Sequence, residues 1–407
     1  MFAIKANTLY DGLTKRENVY IIIEGGKIKE VTRTEPGVEI LYEGVITPAF
    51  IDGHSHIGMA RHGEPSDESE ANEEADIFLP TLNPLDSVYF DDKYFEDAVE
   101  FGVLYSCIIP GSGNLLGGKA IIIRNFAKSR DEAFVKDYGY KMALGFNPRS
   151  TVEWKGRRYR TRMGVYSLLR DEFTKVLRKK RKLDLEKKEK LREEKKRLKK
   201  GEITKGEFEE IKRDLEEKID LEFELYEKAL LEILEGKKVL KTHVHKEDDV
   251  VFFTELVKEF NLKATADHLG DVYRVEIFRK VRDAGIPIVY GPIDSFAYKT
   301  ELKHDTYKNV KALIESQAKF TLMTDHPVVL ARNLFLQLRY FLFYGMSKEK
   351  AISIITKEAA EILGIDNILG TVEPGKLASL IIWNDDPFHL AAKPTTVIAE
   401  GKVIYKV

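Results

Sequence analysis

Two pairs of histidines in this chain are each separated by a single residue. His54 and His56 follow an apolar run, and so do His243 and His245. On a β-strand, side chains at positions i and i+2 point to the same face, so each pair places two imidazoles side by side. Converging neutral imidazole nitrogens are common ligands of a divalent metal, although two histidines in a surface loop would have the same spacing.

Two other short segments also lead to residues that can bind a metal. The segment 264–267 leads to His268, and the segment 320–324 leads to Asp325. The carboxyl ends of the strands of a parallel barrel meet at one face, where the active sites of barrels lie. Strand ends that carry imidazoles or a carboxylate therefore predict one shared metal site, and a chance scatter of histidines is the weaker alternative.

The region around these ends alternates between short apolar segments and helical patterns. Segments such as 103–109, 239–245 and 286–290 have the length and composition of strands. Alternation of strands and helices is typical of parallel βα units. The sequence predicts a barrel over residues 49–369.

Both ends of the chain have a different character. Residues 19–31 contain two β-rich runs joined by a turn at Gly25 and Gly26, and residues 399–405 resemble a second hairpin. Chain termini often lie close together in folded proteins. We predict that residues 1–48 and 370–407 form one composite β domain.

Residues 168–236 form a charged segment within the barrel region. Positions 170–200 hold 16 basic and 7 acidic residues, whereas positions 201–235 hold 5 basic and 13 acidic residues. In the second part apolar residues recur every three or four positions, which indicates a helix, and Thr204 and Glu207 have the spacing of a capping box. We predict an antiparallel helical hairpin with arms of opposite charge, either solvated or in contact with another subunit of a homo-oligomer. Nucleic-acid binding by the basic arm is the alternative, but the acidic arm would compete for its lysines.

The composition argues against several classes of protein. Lys and Arg number 65 against 67 Asp and Glu, which is not the balance of a globally basic nucleic-acid-binding protein. The single cysteine, Cys107, excludes a disulfide framework and a thiolate metal cluster. The apolar runs fall short of the ~18 residues of a membrane-spanning helix, and residues 1–10 lack the pattern of an export signal. We expect a cytoplasmic protein without membrane or nucleic-acid partners.

Taken in order along the chain, these motifs resemble the amidohydrolase superfamily, in its imidazolonepropionase-like branch. The resemblance implies an α/β fold: a metal-dependent (β/α)8 TIM barrel, a small β-sandwich domain from both termini, and the charged hairpin as an insertion. The matching segments are 48–56, 110–118, 142–145, 147–148, 243–245, 267–268, 324–327 and 370–388.

The resemblance implies a set of metal ligands at the strand ends. His54 and His56 would be the ligands from the first strand, and Asp325 the ligand from the eighth. His245 would be the ligand from the fifth strand, because it lies 23 residues before the histidine of the sixth. His243 is the alternative, since it faces the same way.

Two further residues have counterparts in the family pattern. His268 resembles the sixth-strand histidine, which binds a second metal in some branches and contacts the substrate carbonyl in others. Asp248 lies three residues after His245, where related deaminases carry an acid–base Glu. An acid that begins a helix would explain Asp248 equally well.

The chemistry implied is hydrolysis of a C–N bond in a small-molecule amide, cyclic amide, dipeptide or amino-heterocycle. A bound metal lowers the pKa of water towards ~7, and Asp325 would take the water proton and pass it to the leaving nitrogen. His268 or a second metal would stabilise the oxyanion. The ligand set suits zinc, and iron, manganese or cobalt would fit the same residues.

One position departs from the family pattern. Relatives usually read Gly-Glu-Asn-Pro after the fourth strand, and this chain has Phe146 in place of the Glu. The missing carboxylate favours one metal over two. Lys141 on the same strand could form a carbamylated bridge between two metals, but we expect a surface or snorkelling lysine there.

The substrate contacts are less well defined. Asn114, in a Gly-rich turn, and His304, after the seventh strand, are candidates, with turn formation as the alternative role of Asn114. A catalytically degenerate relative that acts as a binding or scaffold protein through the charged hairpin is the alternative function. Phe146 favours that alternative, whereas the retained His54 and Asp325 favour an enzyme.

Overall fold

Two β-sheets organise the chain in the computed structural model, which describes residues 1–407 except for the side chain of Ser66. The strands are β1 Phe2–Tyr10, β2 Lys15–Glu24, β3 Lys27–Thr32, β4 Ile40–Pro48, β5 Phe50–Ser55, β6 Val103–Ile108, β7 Leu116–Arg124, β8 Phe134–Ala143, β9 Val239–Val244, β10 Ala264–His268, β11 Ile288–Tyr290, β12 Phe320–Leu322, β13 Leu380–Trp383, β14 Pro394–Ala399 and β15 Lys402–Lys406. The helices are α1 Lys93–Glu100, α2 Arg130–Ala133, α3 Asn147–Ser150, α4 Arg162–Lys199, α5 Lys205–Leu221, α6 Leu225–Leu234, α7 Glu247–Phe260, α8 Val275–Asp283, α9 Val310–Ser316, α10 Arg339–Leu342, α11 Lys348–Ile354 and α12 Lys357–Leu363.

The smaller sheet combines strands from both termini, in the order β15-β14-β13-β4-β1-β2-β3. β13 pairs antiparallel with β4, so the C-terminal part of the chain joins the N-terminal part through main-chain hydrogen bonds. Ile4, Leu9, Ile21, Ile46 and Ile382 contribute to its buried core. The hairpins predicted from the sequence are confirmed as β2–β3 and β14–β15.

The larger sheet runs in chain order from β5 to β12 and curls into a barrel. The Asp325 N–H donates to the His54 carbonyl over 3.1 Å, and the His56 N–H donates to the His326 carbonyl over 3.1 Å. These bonds join the end of the first barrel strand to the segment after the last. The predicted fold class, a TIM-type barrel with a small β-sandwich and a helical insertion, is confirmed.

The barrel departs from strict strand–helix alternation at β7. This strand is antiparallel to both β6 and β8, whereas the other neighbouring pairs of the described barrel sheet are parallel. Antiparallel neighbours can be joined by a short loop, so residues 109–115 connect β6 to β7 without a crossover helix. The loop lies at the carboxyl end of β6, beside the ends of the parallel strands.

The charged segment forms helices α4, α5 and α6. The first part of α4 packs on the barrel through Leu169, Phe173 and Val176, and the chain turns at Gly201, which has φ +73°. The capping box of Thr204 and Glu207 is confirmed at the start of α5. The apolar stripe is not one helix as predicted, because α5 ends at Leu221 and a second capping box, of Glu224 and Glu227, begins α6.

The two arms of the hairpin meet through opposite charges. Lys187 lies 2.9 Å from Glu216, and Lys179 lies 2.5 Å from Glu227.

Within the described chain, the helices all lack the combination of length and apolar character that crossing a membrane requires.

Candidate metal centre and active site

The carboxyl ends of β5, β9 and β10 meet the segment that follows β12. Among the described residues, two groups of three side chains have potential ligand atoms within 4.8 Å of one another. One group is His54, His56 and Asp325, and the other is His243, His245 and His268. The barrel therefore brings together all six residues that the sequence singled out as metal ligands.

In the first group, hydrogen bonds fix which imidazole nitrogens lack a proton. His54 Nδ1 lies 2.8 Å from an oxygen of Asp267, and His56 Nδ1 lies 2.7 Å from the carbonyl of Ile109. Both Nδ1 atoms must donate to these oxygens, so both Nε2 atoms carry lone pairs in the neutral imidazoles. Asp325 Oδ1 lies 3.4 Å from His54 Nε2 and 3.1 Å from His56 Nε2. Three acceptor atoms that converge without a proton between them fit a bound cation.

In the second group, the imidazoles contact one another directly. His268 Nδ1 lies 3.1 Å from the carbonyl of Gly291, and its Nε2 lies 2.7 Å from His243 Nδ1. Ser112 Oγ is 2.9 Å from the same His243 nitrogen. His245 Nδ1 is buried and has no hydrogen-bond partner among the described residues. An unpartnered buried nitrogen beside two other imidazoles also fits a cation.

The electrostatics favour a neutral imidazole at His54 and at all three histidines of the second group. Burial, followed by the positive charge of Lys141, lowers the pKa of His54 to about 3. Burial lowers the pKa of His243, His245 and His268 well below the usual value. Such imidazoles are unprotonated near pH 7 and can bind a metal without first losing a proton.

Asp325 is a carboxylate under the same conditions. Burial acts to raise its pKa, but the polar contacts with the imidazoles of His56 and His54 and the positive charge of Lys141 lower the pKa to about 2. Its φ of +49° lies in the left-handed region, which is uncommon for a residue other than glycine. Asp52 helps to hold this conformation, because its Oδ1 accepts hydrogen bonds from the N–H groups of Thr324 over 3.0 Å and His54 over 3.3 Å.

Lys141 lies inside the site, and the expectation of a surface or snorkelling lysine is wrong. Its side chain is fully buried, and Nζ lies 3.2 Å from His54 Nε2. Burial lowers the pKa of this ammonium to about 8. Lys141 projects inward from β8, which pairs with β7 on one side and β9 on the other.

A buried ion pair behind His54 was not predicted. Asp267 Oδ2 contacts His54 Nδ1 and also lies 2.9 Å from Lys241 Nζ, and both side chains are fully buried. A sequence signal was present, because Lys241 lies two residues before His243 and so shares its face of β9. Carboxylates that hold the second nitrogen of a metal-binding histidine fix its tautomer and orientation.

A carboxylate from a distant loop lies beside Phe146, where the family pattern has a Glu. Glu301 Oε2 accepts a hydrogen bond from the Phe146 N–H over 2.6 Å, and Oε1 lies 4.0 Å from His243 Nε2. Lys299 Nζ lies 2.7 Å from Glu301 Oε1 and donates to Asn147 Oδ1 over 2.8 Å. Neither Lys299 nor Glu301 carried a motif in the sequence.

The other predicted site residues make their contacts elsewhere in the described structure. Asp248 is 63% exposed in the first turn of α7 and pairs with Arg162. The side chain of Asn114 bonds the carbonyl of Glu73 and the guanidinium of Arg158, so it holds a loop. His304 pairs with Asp271. The helix-initiating role of Asp248 and the turn role of Asn114 account for their positions.

Two cavities meet at the first histidine group. The Lys299 lobe, of about 170 Å³, is lined by Asn72, Ser112, Asn147, Lys299 and Asp325, among others. The Tyr94 lobe, of about 380 Å³, is lined by Ala60, Arg61, Pro65, Tyr94 and Pro327, among others. His56 and Ala71 line both lobes, so a ligand that spans them passes His56.

The barrel, the strand-end histidines and the Asp after the last strand define the class of the protein. A model of the amidohydrolase family matches residues 183–404, which is more than half of the chain. The chain belongs to the amidohydrolase family.

Particular relatives agree with this assignment. The amidohydrolase tasK of Hapsidospora irregularis is 25% identical over 403 residues, which cover 94% of this chain and 39% of that protein. The imidazolonepropionase of Picrophilus torridus is 29% identical over 139 residues, 33% of each chain. This chain therefore matches only about two fifths or one third of the length of these curated relatives. A solved amidohydrolase from Thermotoga maritima MSB8 superposes over 100% of both chains, with a TM-score of 0.83 and 27% identity.

Proposed function

We propose that this protein hydrolyses a C–N bond of a small amide at a divalent-metal centre formed by the two histidine groups. The observation that carries the proposal is the convergence of the unprotonated Nε2 atoms of His54 and His56 on Asp325 Oδ1. Because His243, His245 and His268 form a second possible metal-binding group, we propose a centre for two cations. The sequence had favoured one cation, since Phe146 replaces the Glu of the family pattern. Nitrogen-rich ligand sets of this kind suit zinc, iron, manganese or cobalt.

The residues of the chain have separate tasks in this proposal. A divalent cation, when bound, supplies a Lewis acid that polarises a carbonyl and lowers the pKa of water. Asp325 accepts a proton from the attacking water and delivers it to the leaving nitrogen. This protonation is needed because a nitrogen anion is a poor leaving group, whereas a neutral amine leaves readily. Asp267 and the carbonyl of Ile109 keep the imidazoles of His54 and His56 in the orientation that exposes Nε2.

Metal content tests the centre. Untagged wild-type protein and the variants His54→Ala, Asp325→Asn and His389→Ala are measured by elemental analysis. We expect up to two metal ions per wild-type chain, fewer in the first two variants, and the wild-type amount in His389→Ala, because His389 is exposed and pairs only with Asp385 in the described structure. Equally low metal in wild type and all variants would rule out the centre.

Activity tests the reaction. A panel of N-acyl amino acids, dipeptides and cyclic amides is offered to metal-loaded protein, with Asp325→Asn as the comparison. We expect Asp325→Asn to lower kcat by about 10²- to 10⁴-fold, the usual contribution of a positioned acid–base group. Inactivity of metal-loaded wild type on the whole panel would favour the scaffold alternative.

A further inference from the structure

Lys299 is a buried ammonium in the wall of a cavity that opens on the proposed centre. Its side chain is 3% exposed, and Nζ contacts Asn147 Oδ1 at 2.8 Å and Glu301 Oε1 at 2.7 Å. A lysine ammonium donates three hydrogen bonds. Beside the hydrogen bond to Asn147 and the ion pair with Glu301, the ammonium keeps an N–H for an acceptor within the lobe that Lys299 lines.

Glu301 holds this ammonium in place from behind. Its Oε2 is engaged by the Phe146 N–H at 2.6 Å, and its side chain is 5% exposed. A buried lysine needs such a partner, because an unpaired buried charge is strongly unfavourable. Glu301 is therefore a positioning residue, and Lys299 is the group that faces the ligand.

The remaining lining of the Lys299 lobe suits an anion. Among the described residues that line it, Asp325 is the one acidic side chain, and the proposed metal centre occupies that carboxylate. Asn72 Oδ1 already accepts from the Gly113 N–H over 3.0 Å, so its amide NH₂ remains to donate. A cation with neutral donors around it recognises a carboxylate better than an amine.

The size and position of the two lobes indicate where each half of a substrate would lie. The Lys299 lobe, of about 170 Å³, is smaller than the ~300 Å³ at which sites for drug-sized ligands begin. The Tyr94 lobe is larger, at about 380 Å³, and the two meet at His56. A substrate with a small anionic half and a larger second half would place the bond between them next to His56 and Asp325.

We propose that Lys299 binds the carboxylate of an N-acyl amino acid, with the acyl half in the Tyr94 lobe. The inference rests on the proposed hydrolase function and names its substrate class. Water adds to the amide carbonyl, the C–N bond breaks, the nitrogen takes a proton, and a carboxylic acid and a free amino acid leave.

Matched substrates test the carboxylate preference. Metal-loaded wild type, Lys299→Met and Lys303→Met are assayed with N-acetyl-L-alanine and N-acetyl-L-alaninamide. We expect wild type to prefer the acid by about 10- to 100-fold in kcat/KM, the range for a hydrogen bond to a charged group. Lys299→Met should abolish most of this preference, chiefly by raising KM for the acid. Lys303 is an exposed lysine four residues away, and Lys303→Met should keep the wild-type preference.

Ligand binding separates this inference from the hydrolase function. The affinity of Asp325→Asn and of Asp325→Asn/Lys299→Met for the same two compounds is measured by calorimetry in excess divalent metal, because the loss of Asp325 is expected to weaken metal binding. If Asp325→Asn binds the acid more tightly than the amide, and Lys299→Met removes this difference, the carboxylate site is supported. This holds even if wild type hydrolyses neither compound. Hydrolysis of both compounds with equal kcat/KM, or an equal loss with both in Lys299→Met, would overturn the site and leave the hydrolase function standing. Absence of both turnover and Lys299-dependent binding would overturn the inference.

Discussion

At the scale of single residues, the centre depends on side chains that never touch the proposed cation. His54 can offer Nε2 only because Asp267 takes the proton-bearing Nδ1, and Asp267 is itself held by Lys241 Nζ at 2.9 Å. Asp267 stays ionised despite burial, since the charge of Lys241 and the hydrogen bond from His54 lower its pKa below the usual range. Lys241, Asp267 and His54 thus form a buried chain of contacts that fixes the orientation of the His54 imidazole.

Replacement of Asp267 separates stability from metal affinity. Asp267→Asn leaves Lys241 unpaired and should lower the free energy of unfolding of chelator-treated protein by about 3–5 kcal/mol. It should also weaken metal binding by about 10- to 100-fold, the usual effect of losing a carboxylate behind a metal-binding histidine. Denaturant unfolding and a competition titration with a chromogenic chelator measure the two quantities.

The double variant Asp267→Asn/Lys241→Met is the control. Removal of the unpaired ammonium should restore much of the stability, whereas metal affinity should stay low. If the stable double variant bound metal as tightly as wild type does, the contacts of Asp267 with Lys241 and His54 would support only the fold.

Lys141 is the second residue whose charge state matters. An ammonium 3.2 Å from His54 Nε2 would repel a cation, and burial already lowers its pKa to about 8. A carbamate formed from CO₂ would convert this positive group into a ligand. We expect bicarbonate to increase the metal content of wild-type protein, as measured by elemental analysis after dialysis.

Lys141→Met is the matched variant for this experiment. It should bind less metal than wild type and show no response to bicarbonate. An increase in metal content on Lys141→Met would instead show that the lysine acts as a repelling ammonium.

At the scale of elements, the inner face of the barrel is set by close pairing of neighbouring strands. β8 and β9 pair in parallel, with Gly139 opposite Val239 and Lys141 opposite Lys241. A Cβ at Gly139 would lie 1.9 Å from the Val239 carbonyl oxygen. Only glycine therefore permits the approach that brings Lys141 and His243 to the same end of the barrel.

Two glycine substitutions with opposite expected effects on stability test the close pairing of β8 and β9. Gly139→Ala should cost more than about 2 kcal/mol of stability, because the clash involves backbone rather than a movable side chain. Gly206→Ala in α5 should be neutral or stabilise by up to about 1 kcal/mol, since a Cβ there meets nothing closer than 3.8 Å and alanine favours helix. Unfolding midpoints of the two variants measure the difference, and a tolerated Gly139→Ala would contradict the assigned register.

At the scale of the whole molecule, the base of the charged hairpin packs on the barrel and its tip does not. The start of α4 packs on the barrel through Phe173 and Val176, whereas α5 has no buried side chain among the described residues. Exposed ion pairs such as Lys187 with Glu216 each contribute only about 0–1 kcal/mol. We therefore expect the barrel to fold without the tip of the hairpin.

A truncation tests that independence. Replacement of residues 184–220 by a short Gly-Ser linker should leave metal content and kcat within about two-fold of wild type. Light scattering of the same sample measures the oligomeric state, which should fall if the hairpin joins subunits. Loss of metal from the truncated protein would show that the hairpin supports the centre.

The sequence by itself determined the residues with local signals. The i, i+2 spacing of His54 with His56 and of His243 with His245 indicated a shared strand face, and Thr204 with Glu207 indicated a helix start. The period of two and the capping geometry are properties of neighbouring residues, so they are readable without the fold. His268 and Asp325 were indicated by the short strand-like segments that precede them, and the family pattern supplied their roles.

Only the tertiary structure decided the surroundings of these residues. Asp267 meets His54 across 213 positions, Glu301 meets Phe146 across 155, and Lys141 meets His54 across 87. Burial and charge pairing arise where distant strands and loops come together, and neither follows from the neighbours of a residue in the chain. The same cause changed Lys141 from an expected surface lysine into a buried one, and it placed Lys299 in the wall of the cavity.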